Sequence, residues 1–127
     1  LIIISLDTLI KKNNLYLSII DKPNIWNLNY FGQKVRKLRK KKGLLLRQFA
    51  AHLEVDTALI SKIETGDRKA NEIQVKKIAE ILEVNNRELL KLWLSDKIYD
   101  TIEEAPIVAE DAVKYVLKNF KKKWKRV

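Results

Sequence analysis

Residues 46–68, LRQFAAHLEVDTALISKIETGDR, read as two short helices joined by a tight turn. Phe49 and Leu53 form the inner face of the first helix, Ile60 and Ile63 that of the second, and Val55 plugs the turn between them. Ala50 falls where the two helices must approach closely and only a small side chain fits. Asp56 is a good N-cap for the second helix, which the pattern ends near Thr65, ahead of a Gly66-Asp67-Arg68 turn. Two helices at this spacing make a helix-turn-helix unit. Thr57, Ala58, Ser61 and Lys62 are left on the outer face, near the N-terminal end of the second helix. Residues so placed reach base edges when the helix lies in a DNA major groove.

The same helical period extends outward in both directions. Before the unit, Phe31, Val35 and Leu38 mark a helix over residues 29–42, with Gly43 as its stop. After it, Asn71 and Gln74 have capping-box spacing and open a fourth helix expected to bury Ile73, Val75, Ile78, Ile81 and Leu82. A fifth helix starts at Asn85, with Glu88 three residues on, and carries Leu89, Leu92 and Trp93 toward Ile98 and Ile102. Ala105-Pro106 breaks the chain, and Pro suits the first turn of a sixth helix over residues 107–124. Residues 1–29 lack a sustained helical period and are read as an N-terminal extension, either disordered or not native. Their opening on Leu in a chain without Met fits an upstream extension. The expected organisation is therefore the extension, a DNA-binding domain over 30–104, and a C-terminal helix with a basic tail over 105–127.

Composition bounds the function. The 127 residues are 46% hydrophobic, enough for one core, while three Gly and two Pro are too few for the turns of an all-β sandwich. The formal net charge of +10 favours an anionic partner such as nucleic acid, an anionic membrane or an acidic protein. The absence of Cys removes disulfides, thiolate metal sites and thiol catalysis, and a lone His52 excludes zinc sites built on several histidines. The apolar run at residues 1–10 is too short to span a membrane and has its lysines after it, so a soluble, cytoplasmic protein is expected. No nucleophile–base set and no phosphate-cradling Gly loop stands out, so the expectation is binding without catalysis and without a cofactor or metal.

The run from Gly43 to Arg68, with I-S-K-I-E-T-G-D-R at residues 60–68 and an Ala ten positions before Ile60, resembles the Xre/Cro/C1-type helix-turn-helix family. The resemblance covers about residues 30–93. It implies an all-α protein, a five-helix lambda-repressor-like DNA-binding domain with an additional C-terminal helix, acting as a homodimeric transcription factor of repressor or controller type on double-stranded DNA. The family's recognition-helix positions fall on Asp56, Thr57, Ala58, Ser61 and Lys62, and its Arg–Glu pair on Arg39 and Glu64. Three positions depart from the family pattern. Leu45 and Leu46 stand where Ser or Thr and then Gln are frequent, leaving Arg47 or Gln48 to hold a phosphate. Glu54 stands where Gly is frequent in the turn. Thr65 stands where a basic residue often follows the Glu.

Beyond the recognition helix, Arg68 and Lys69 are the favoured phosphate contacts, ahead of Lys34, Lys37 and Lys40 to Lys42 on the first helix. The acid-free cluster of Lys118, Lys121, Lys122, Lys123, Lys125 and Arg126 is a solvated tail or a non-specific phosphate contact. The stripe of Val113, Val116, Leu117, Phe120 and Trp124 must pack on something. It either covers the fifth helix, with Trp93, Leu94 and Ile98 as its partners, or forms a dimer seam. An alternative reading keeps the fold and makes the chain an antitoxin or accessory module whose main task is to bind another protein.

Overall fold

Several helices of this protein start and stop for local reasons. The computed structural model describes residues 29–124, and the reading of residues 1–28 as an extension lies outside them, as do Lys125 and Arg126 of the basic tail. Six α-helices follow in chain order: α1 (Tyr30–Lys41), α2 (Leu46–Leu53), α3 (Thr57–Thr65), α4 (Glu72–Leu82), α5 (Asn86–Ile102) and α6 (Ala109–Trp124). No strand occurs among the described residues. The described residues are all-α, as their sequence pattern predicts.

Asp56 caps α3 by accepting from the Ala58 N–H. Asn71 and Gln74 form the reciprocal box that opens α4, at 2.8 and 2.9 Å. At the other ends, α2 and α4 close in the same way. Val55 N–H donates to the Ala50 carbonyl and Val84 N–H to the Ala79 carbonyl, with Glu54 and Glu83 in the left-handed region at φ 57° and 55°. This is a Schellman stop built on glutamate, where glycine would be unstrained.

The core lies among α1 to α5. Val35, Phe49, Ile60, Val75, Ile78 and Leu89 are essentially inaccessible, with Phe31, Ala50, Leu53, Ile63 and Leu82 around them. Leu38, Val55 and Ile81 pack at its edge. A single interior of this kind holds α2 and α3 at a fixed angle, because each contributes its inner face to the same cluster.

Two sequence expectations need correction. Ile73 does not join the core. It is 69% exposed, because α4 turns Val75, Ile78 and Ala79 inward and Ile73 precedes that stripe. Pro106 does not open the last helix. Residues 103–108 form a run of turns, and α6 starts at Ala109. Asn85 caps α5 by accepting from Arg87 N–H at 2.9 Å, at the start the sequence pattern expects.

Candidate nucleic-acid interface

α3 presents two unlike sides. Its inner side, Ile60, Ile63 and Glu64, is buried. Its outer side carries Thr57, Ala58 and Lys62, all exposed, with Ser61 half-buried beside them. Asp56 is exposed at the helix start, with one carboxylate oxygen committed to the cap. The five candidate base-reading residues thus share the outer side of α3, from its N-cap to Lys62 in its last turn, held by a helix that cannot rotate without exposing two isoleucines and a buried charge.

That charge is Glu64. Arg39 on α1 grips it through two bonds, Nε to Oε1 at 2.6 Å and Nη2 to Oε2 at 3.1 Å. Its third nitrogen, Nη1, donates to the Leu44 carbonyl at 2.8 Å. Both residues are buried. Parallel bonds from a planar guanidinium fix orientation as well as distance, so α1, the α1–α2 loop and α3 are locked together by one side chain.

Residues that sequence reasoning missed complete this lock. Asn29, read in the sequence both as the last residue of the extension and as the start of the first helix, is buried. It accepts from Gly32 N–H at 3.0 Å and donates to the Glu64 carbonyl at 2.9 Å. A Cβ at Gly32 would overlap the Ile63 carbonyl oxygen, so glycine is what lets α1 touch α3. Asp96, buried on α5, caps α1 from a distance by accepting from the N–H groups of Tyr30 and Phe31 at 2.9 and 3.0 Å. An Asn immediately before the first helical residue carried the only sequence signal for these contacts; nothing local pointed to Asp96.

The candidate phosphate contacts divide. Arg47 and Gln48 are exposed at the start of α2, where no side chain caps the helix and Gln48 Oε1 accepts from Leu45 N–H. Arg68 is exposed. Lys69 is engaged in an ion pair with Asp100 at 2.6 Å, each side chain close to half exposed. Trp93 belongs to the domain's own packing. Its Nε1 donates to the Ala70 carbonyl at 2.7 Å, and Lys97 lies 3.7 Å above its ring. Leu94 and Ile98 are exposed, and α6 buries no residue, so the stripe of Val113, Val116, Leu117, Phe120 and Trp124 does not cover α5. Among the described residues, no group of His, Cys, Asp or Glu could hold a metal ion, and no helix is long and apolar enough to cross a membrane.

Residues 35–89 match the model of a family described as Helix-turn-helix. The control protein C.MunI of a Mycoplasma species is 38% identical over 60 residues, which are 46% of this chain and 81% of that protein. The chain belongs to the Xre/Cro/C1-type helix-turn-helix family. Members of this family are DNA-binding transcriptional regulators and not enzymes. The HTH-type transcriptional regulator RghRB of Bacillus subtilis is 38% identical over 61 residues, and the chain spans only 44% of its length. The crystal structure of the restriction-modification controller C.AhdI from Aeromonas hydrophila, 34% identical, covers 49% of this chain and 94% of its own, with a TM-score of 0.46. In this helix-turn-helix chain the matched span contains α2 and α3 whole and ends within α5; α6 lies beyond it.

Proposed function

We propose that this chain is a sequence-specific, DNA-binding transcriptional regulator of repressor or controller type that reads the major groove with α3 and acts as a homodimer in the cytoplasm. The observation that carries the reading is the division of α3. Its buried side is pinned by the Arg39–Glu64 pair, and its outer side offers Thr57, Ala58, Ser61 and Lys62 together, from the first residue to the last turn. A rigid helix with small and donor side chains along its outer side suits base edges in a groove that just admits a helix. Asp56 serves first as the cap and meets bases only through its remaining lone pairs.

The phosphate grip falls to Arg47, Gln48 and Arg68. The start of α2 supports it, because backbone N–H groups at a helix start attract an anion and Arg47 adds a full charge there. Lys69 would have to leave Asp100 to join them. Two subunits would read two half-sites about one DNA turn apart. C.MunI and C.AhdI carry the name of controller proteins, which favours a regulator answering to its own concentration.

Selecting bound fragments from a random DNA pool tests the proposal. The expected result is a shared motif, with inverted half-sites if the dimer reads both. Failure of the chain to bind any DNA at low salt would sink it and favour the antitoxin or accessory-module reading.

A further inference from the structure

α6 is a helix without a partner. None of its 16 residues is buried, and Val116, Leu117, Phe120 and Trp124 are 63, 50, 54 and 55% exposed on one stripe. The Phe120 and Trp124 rings lie 5.6 Å apart on that stripe. A continuous apolar face of this kind is a contact surface awaiting its other half. The helix is also charged unevenly along its length. Glu110 and Asp111 occupy the first turn, and Lys121, Lys122 and Lys123 the last.

We propose that α6 pairs antiparallel with α6 of a second copy of this chain, about a two-fold axis passing between Val116 and Leu117. This places the interface of the homodimer reading above and rests on it. Side-chain size is the first argument. Antiparallel pairing about that point sets Ala109 opposite Trp124, Val113 opposite Phe120 and Val116 opposite Leu117, small against large at each outer level. Parallel pairing would set Trp124 on Trp124 and Ala109 on Ala109, crowding one end and leaving a void at the other.

Charge gives the second argument. In the antiparallel arrangement the acidic first turn of each copy meets the lysine-rich last turn of the other. At about 100° per residue, Glu110 and Lys121 fall on the same flank of the stripe. That flank meets its own counterpart across an antiparallel seam, so Glu110 of one copy, which pairs with Lys114 on its own helix at 2.7 Å, also approaches Lys121 of the other. Parallel pairing would align the two lysine clusters and repel. An anionic lipid surface is the competing occupant for a basic amphipathic helix, but Glu110 borders the stripe and would face the lipid charge. Area is consistent with a second copy. A specific dimer buries at least about 1,200 Å², and four half-exposed aromatic rings supply roughly a third of that.

The test is the dimer dissociation constant of the full chain, measured by sedimentation without DNA. Phe120→Asp should raise it more than about 10-fold. Glu110→Lys and Lys121→Glu, each alone, should raise it about 3- to 10-fold, and the double variant should return close to wild type. The rescue is specific to this arrangement, because within one helix the two positions are roughly 16 Å apart and do not meet. None of the substituted side chains is in the core, so each variant should keep the wild-type fold of α1 to α5, while Glu110→Lys also breaks the pair of Glu110 with Lys114 on its own helix. A wild-type protein that stays monomeric at high concentration overturns the proposal. So do single losses that add in the double variant, and so does a monomer that sediments with vesicles of equal parts phosphatidylcholine and phosphatidylserine. Titration with DNA carrying one half-site separates the two levels. Half-site binding without self-association fails only the α6 pairing, whereas self-association without any DNA binding fails only the regulator reading.

Discussion

Asp96 Oδ2 accepts a hydrogen bond from Phe31 N–H at 3.0 Å, across 65 positions of sequence. The other oxygen takes Tyr30 N–H at 2.9 Å, so one buried carboxylate satisfies two of the donors that a helix start leaves open. The contact joins the end of the domain to its beginning. Removing it strands those donors in a place water reaches poorly. Asp96→Ala should cost about 1–3 kcal/mol and lower the melting temperature measured by calorimetry. Asp96→Asn keeps one acceptor oxygen and should lose less. Equal losses for both variants would show that the cap contributes through charge alone.

Arg39 is the partner whose loss should be most costly. With Arg39→Ala, Glu64 stays buried without a counter-charge and the Leu44 carbonyl loses its donor. Breaking a buried pair from one side costs about 3–5 kcal/mol. The variant should melt earlier and bind every DNA sequence more weakly, because α3 loses its anchor and not its reading residues. A variant that melts and binds normally would show that the pair neither stabilises the domain nor holds α3.

Glu54 offers a change in the opposite direction. It sits at φ 57° and ψ 40°, where a Cβ is strained, and its exposed side chain contributes nothing to the core. Glu54→Gly should stabilise the protein by roughly 0.5–1 kcal/mol, less the added freedom of glycine in the unfolded chain. Urea titration reads this as a higher midpoint with an unchanged slope. A lower midpoint would mean that the left-handed residue is not under strain.

Lys62 and Arg68 should separate reading from gripping. Lys62→Ala should cost about 1–3 kcal/mol on the preferred site and relax the preference at one base position. Arg68→Ala should weaken all sequences alike and reduce the slope of log K against log salt by about one. Titrations at several salt concentrations on matched and scrambled DNA distinguish them. Equal losses for Lys62→Ala on both DNAs would make it a phosphate contact and leave the reading to Thr57, Ala58 and Ser61.

The helices themselves were legible in the chain because their causes are local. Asp56 before Thr57, Asn71 before Gln74, and isoleucines at Ile60 and Ile63 state where α3 and α4 start and which way they face, and α2 and α3 lie where the sequence reading puts its two short helices. Periodicity and capping act within about one helical turn, so they survive without knowledge of the fold. Ile73 shows the limit of the same rule, since a residue at the edge of a stripe is buried or not according to what stands opposite it. Contacts between distant parts of the chain left no such trace. Gly32 reads in sequence as a weak point in a helix, and only the passage of α3 against it explains the missing side chain. Asp96 reads as one more surface acid on α5, until α1 brings two unpaired N–H groups to it. A hydrogen bond across 65 residues depends on where two helices end up in space, and neither helix alone determines that.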